Sequence, residues 1–133
     1  MLKSKLATIG FISWMVFVAS LSLFSFSKGT FYVPRFQGID KVVHFVFYCV
    51  AAILGGLALR EQRKQRIGFL SASVVIGSFL ISFGTIIEIL QEYTTLTRKG
   101  DVFDMLANTI GVITGILLLK LYFSCRPQLK WKN

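Results

Sequence analysis

Four runs of about twenty mostly apolar residues occupy most of this chain, and they constrain its fold more than any other feature. A helix needs roughly 20 such residues to cross about 30 Å of hydrocarbon. Hydrocarbon offers no water to satisfy backbone N–H and C=O groups, so each run has to be helical. The runs are read at about 6–26, 40–59, 67–91 and 101–123. In a chain of 133 residues they leave little for a soluble part. The expected fold is all-α: a polytopic membrane protein folded as one four-transmembrane-helix bundle over 1–133. The chain is 54% hydrophobic and 16% charged, where a soluble domain has about 25% charged residues.

The first run follows Lys3 and Lys5, as a secretory signal would. It is longer than the 7–15 apolar residues of a signal core, and no small-x-small cleavage site ends it, so it is read as a retained helix. The segment 27–38 holds Gly29, Pro34 and Gly38 beside Phe31, Tyr32 and Phe36, aromatics that favour the membrane–water interface. Segments 60–66 and 92–100 are read as polar loops, and a basic tail follows the fourth run.

Short-loop Lys and Arg set orientation. One end of the bundle holds Lys3, Lys5, Arg60, Arg63, Lys64, Arg66, Lys120, Arg126, Lys130 and Lys132. The other holds Lys28, Arg35, Lys41, Arg98 and Lys99. Ten against five makes the first end cytoplasmic, and both termini with it. The formal charge of +9 could suggest nucleic acid. The cations lie at the ends of the runs and form no basic helical face, so nucleic acid is not an expected partner. Cys49 lies inside the second run and Cys125 beyond the fourth, at depths that argue against a disulfide, and their spacing is not that of a metal site. No cofactor or metal is expected.

The acids need their own explanation. Asp40, Glu88, Glu92, Asp101 and Asp104 fall at the outer end, and only Glu61 at the inner. The polar residues there run in register. Asp40, His44 and Tyr48 are spaced i, i+4, i+8, with Lys41 beside them. Glu88 and Gln91 are spaced i, i+3; Asp101, Asp104 and Asn108 are spaced i, i+3, i+7, and Gly111 and Gly115 continue that stripe inward. A charge facing lipid costs about 2.5–3.5 kcal/mol at mid-bilayer, so these stripes should face the bundle interior.

Plainer roles stand beside the functional one. Asp101 suits a helix cap. Lys41 and Arg98 suit interfacial anchors, and Glu92 and Lys99 suit solvated loop charges. Gly111-x-x-x-Gly115 suits helix packing. His44 alone would be a structural hydrogen-bonder, and its alignment with Asp40 and Tyr48 is what makes it a candidate.

Taken together, Asp40-Lys41-x-x-His44-x-x-x-Tyr48, Glu88-x-x-Gln91 and Arg98-x-Gly100-Asp101-x-x-Asp104-x-x-x-Asn108-x-x-Gly111 resemble the VanZ-like family of bacterial membrane proteins. The resemblance spans about 38–115. It implies a protein of the bacterial inner, or cytoplasmic, membrane and cell envelope; for the family's namesake it implies a link to teicoplanin, and so glycopeptide antibiotic, resistance. It brings no catalytic role with it.

Four functions are weighed. First is a binding module, in which Asp40, Lys41, His44, Tyr48, Glu88, Gln91, Arg98, Asp101, Asp104 and Asn108 recognise a polar headgroup, a cell-wall precursor or a glycopeptide-related ligand at the outer face. Arg98 and Lys41 would take phosphate or carboxylate, and the acids would read hydroxyls or amines. Second is an enzyme acting on an envelope lipid, with His44 as general base, Asp40 its orienter and Glu88 an acid. It ranks lower because no nucleophile motif is present. A structural staple and a proton or solute pathway follow; the inner helix halves lack the ionisable groups a pathway needs, apart from Lys120. The bilayer is the one certain partner, and the sequence sets no oligomeric state.

Overall fold

In the computed structural model, residues 5–23, 38–62, 66–94, 102–126 and 131 are described. They form four helices, α1 (Leu6–Leu23), α2 (Ile39–Gln62), α3 (Phe69–Thr94) and α4 (Val102–Ser124). All four are long and apolar enough to cross a membrane.

Two helices run further than the apolar runs. α2 continues to Gln62, where a loop was expected from residue 60. Arg60, Glu61 and Gln62 are straight-chain residues with good helix propensity, so the helix outlasts its apolar span. Glu61 Oε2 also accepts the backbone N–H and the hydroxyl of Thr8, each at 3.0 Å. The first N–H groups of α1 have no partner within their own helix, and this carboxylate takes one of them. α3 starts at Phe69, two residues later than expected, and runs to Thr94, so Glu92 and Tyr93 are helical rather than part of a loop. The expected end of the first helix, 24–26, and the expected start of the fourth, Asp101, lie outside the described residues.

α2 is the centre of the bundle. It packs against α1, α3 and α4, most extensively against α4. The sequence allows this because α2 presents Ala51, Ala52, Gly55, Gly56 and Ala58, all buried. A Cβ on Gly55 would run into Ile76 of α3, and one on Gly56 into Leu119 of α4. From the other side, a Cβ on Gly111 would meet the carbonyl oxygen of Phe45, and one on Gly115 that of Cys49. The expected glycine pair is therefore a seam between α4 and the backbone of α2. In lipid, where burial gives helices no hydrophobic drive to associate, close backbone approach of this kind supplies the attraction.

The main core gathers Val18, Tyr48, Ala51, Ala52, Ile76, Leu80 and Val112. α1 is the most peripheral helix, with Val18 its one buried residue. Its Trp14 Nε1 donates to the Phe47 carbonyl of α2 at 3.0 Å. Large apolar side chains such as Ile12, Val74, Ile86, Ile113 and Leu117 point outward. That exposure is what a lipid-facing surface requires, since a helix apolar all round is a membrane or deep-core helix. Ser73, Thr85 and Thr109 donate their hydroxyls to the carbonyls of Phe69, Ile81 and Met105, four residues earlier in each case. Each hydroxyl is thus satisfied without leaving its own helix.

Candidate functional site: a buried polar cluster at one end of the bundle

α2 and α4 begin at the end where α1 and α3 finish. The polar stripes meet there. Asp104 stands in the first turn of α4, where a carboxylate complements the helix dipole. At 1.5 Å per residue, His44 and Asn108 lie roughly 8–9 Å along their helices from that end, and Glu88 a similar depth along α3.

Glu88, Gln91 and Asn108 are each 3% exposed, and His44 and Asp104 each 8%. These five polar side chains therefore face one another's helices rather than lipid, as the cost of a lipid-facing charge demands. Tyr48 is also buried, at 2%. Lys41 is half-buried, and Asp40 is exposed at the first turn of α2. Arg98 and Asp101 lie outside the described residues.

The imidazole fixes the local chemistry. His44 Nδ1 lies 3.0 Å from Asn108 Oδ1. An amide oxygen only accepts, so Nδ1 is the donor and carries the proton. His44 Nε2 is left facing Asp104 Oδ2 at 3.9 Å. In a neutral imidazole this nitrogen bears a lone pair, and the carboxylate offers another. The gap closes only with a proton on Nε2 or a donor from outside placed against both atoms. The second oxygen, Asp104 Oδ1, is buried and makes no hydrogen bond. The Lys41 ammonium stands 3.6 Å from it, close enough for ion pairing and too far for a hydrogen bond. The same ammonium lies 5.7 Å above the Phe103 ring, a cation–π distance. A carboxylate set beside His44 is thus Asp104, contributed by another helix.

α3 completes the cluster through a glycine. A Cβ on Gly84 would stand 3.0 Å from Tyr48 Oη and 3.1 Å from Asn108 Nδ2. Its absence makes room for the phenol of α2 and the amide of α4, one turn before Glu88. Gln91 reaches the other way and donates from Nε2 to the Ser22 carbonyl of α1 at 2.7 Å. That carbonyl is in the last turn of α1, where no intrahelical partner exists. All four helices therefore take part, including α1, which the polar stripes alone did not implicate. Gly84 and Ser22 went unnoticed because one is a bare backbone position and the other contributes only its carbonyl. The spacing of Gly84 four residues before Glu88, on the same face, was the one available signal.

Four apolar spans arranged around such a cluster define a multi-pass membrane protein. The particular family is established by comparison: the VanZ/LLP1 family model matches residues 3–123, and the chain belongs to that family. The match includes α1, beyond the 38–115 stretch that carries the motifs. No curated protein and no solved structure matches the chain.

Proposed function

We propose that this VanZ/LLP1-family protein resides in the bacterial cytoplasmic membrane with both termini inside, and that its cluster end binds a polar ligand at the extracytoplasmic face. The orientation rests on the ten-to-five distribution of Lys and Arg. The ligand is a headgroup or cell-wall precursor, glycopeptide-related ligands included, that presents N–H or O–H donors. Asp104 carries this reading: its Oδ1 is buried without a hydrogen bond, and its Oδ2 faces an imidazole nitrogen across 3.9 Å. A buried polar atom lacking its hydrogen bond is costly, and an incoming ammonium or hydroxyl relieves that cost. Lys41 and Arg98 are proposed to hold the phosphate or carboxylate of the same ligand.

The test is a thermal-shift series on the purified protein in neutral detergent, with phosphatidylethanolamine and a lipid-linked peptidoglycan precursor as probes. Preferential binding to the folded state raises the melting temperature with probe concentration. If neither probe moves it, the binding reading fails.

One observation favours acid–base chemistry as a second reading. Asn108 sets the His44 tautomer so that Nε2 points away from it toward Asp104, the arrangement a general base needs. Turnover of the precursor by wild type and not by His44→Gln, with both variants binding it, would favour the enzyme.

A further inference from the structure

At the opposite end of the bundle, Trp131 is 4% exposed although it stands in the basic tail. Its Nε1 donates to the Ile67 carbonyl at 2.9 Å, just ahead of α3. Its ring stands edge-on to Phe69 and to Phe123, with centroids 5.3 Å away in both cases. The Arg60 guanidinium, in the last turn of α2, lies 4.4 Å from the Phe123 centroid and 5.8 Å from that of Trp131. Trp131 is thereby pinned to the ends of three helices: α2, α3 and α4.

The charge at this end is one-sided. Five cations and five acids balance in the segments at the cluster end, so the formal excess of +9 belongs to this one. Its one carboxylate, Glu61, is engaged by Thr8. Lys5, Arg66, Lys120 and Arg126 are exposed. Arg126 also sits 4.7 Å over the Tyr122 ring, a cation–π distance.

We infer that this basic helix-end face, held together by the Trp131 clasp, is a docking surface for the phosphate headgroups of anionic lipids. Clustered Lys and Arg beside transmembrane helices attract anionic headgroups within about a Debye length. The clasp adds to the sequence-level charge bias by tying Trp131 to Ile67, beside the exposed Arg66, and to Phe123, three residues before the exposed Arg126, so that cations of separate segments share one face. Nothing in the inference depends on what the polar cluster binds.

The test uses the full chain in neutral detergent, with mixed micelles of phosphatidylglycerol or phosphatidylcholine, and inorganic phosphate alone as a third arm. Phosphatidylglycerol is expected to raise the melting temperature well above phosphatidylcholine, with the difference shrinking at high salt. Inorganic phosphate at the same concentration is expected to leave it unmoved; an equal rise there would reassign the face to a free anion and overturn the lipid reading. Arg66→Gln combined with Arg126→Gln keeps the clasp and is expected to shrink the phosphatidylglycerol preference. Trp131→Ala is expected to shrink it as well, and Trp131→Phe serves where the alanine variant does not fold. Equal response to the two lipids, or an undiminished preference in both the charge and the clasp variants, overturns the proposal.

Discussion

At the scale of single residues, the cluster end is a set of buried polar atoms with uneven satisfaction. Asn108 and His44 satisfy each other across the α2–α4 seam at 3.0 Å. Interhelical hydrogen bonds in membranes average about 0.6 kcal/mol and reach about 1.7. A double-mutant cycle of His44→Ala and Asn108→Ala, read by unfolding in detergent, should give a coupling of about 1 kcal/mol; additive losses would mean that the bond contributes nothing. Gly84 makes a second case. Its missing Cβ leaves space filled by Tyr48 Oη and Asn108 Nδ2. Gly84→Ala should therefore destabilise by about 1 kcal/mol or more by overpacking, against the gain that alanine normally brings inside a helix. The residue types of the cluster were legible in the sequence, because carboxylates, an imidazole and amides at helical spacing stand out in apolar runs. That Asp104 faces His44 was not. Asp40 shares its helix and spacing, whereas Asp104 arrives from α4 through the packing of two helices, and no pattern within either run encodes that meeting.

At the scale of elements, the α2–α4 seam positions the site. Gly111 and Gly115 bring α4 against the Phe45 and Cys49 carbonyls, which places Asn108 and Asp104, one and two turns further on, beside His44. A backbone carbonyl cannot rotate away as a side chain can. Gly111→Ala is therefore expected to cost about 2 kcal/mol and to separate the two helices, loosening the His44–Asn108 pair as well. Gly77 offers the contrast: a Cβ there would meet Ile116 Cδ1 at 3.6 Å, an ordinary contact. Gly77→Ala should be neutral or stabilising by up to about 1 kcal/mol. Equal losses at the two glycines, measured in the same detergent, would argue against the seam. Hydropathy located all four helices because lipid imposes long apolar runs. It placed their ends less well, since Arg60, Glu61 and Gln62 keep helical geometry after the apolar span stops. The α2 glycines, Gly55 and Gly56, also escaped notice, because a helix with small residues on more than one face gives no single stripe to read.

At the scale of the whole molecule, the two ends of the bundle differ in kind. One buries acids, amides and an imidazole among the ends of four helices; the other buries Trp131 beside Arg60. α1 links them, through Thr8 to Glu61 at one end and Ser22 to Gln91 at the other. Such ties between side chains and distant backbone leave no periodic trace, which is why the polar stripes alone did not implicate α1. Its inclusion in the family match is consistent with these contacts. The proposed orientation has its own check: green fluorescent protein fused after Asn133 should fluoresce, and alkaline phosphatase in the same place should be inactive. The reverse pattern would put the polar cluster on the cytoplasmic side.

The claim that the cluster is a binding site is tested most directly by the dissociation constant of a fluorescent lipid-linked peptidoglycan precursor, measured for wild type and for Asp104→Asn. The substitution keeps the shape of the side chain and removes the charge that a donor-bearing ligand would meet. With folding verified by an unchanged melting profile without ligand, the account predicts binding weaker by about tenfold or more, the usual worth of a hydrogen bond to a charged group. Equal dissociation constants for the two proteins would contradict it.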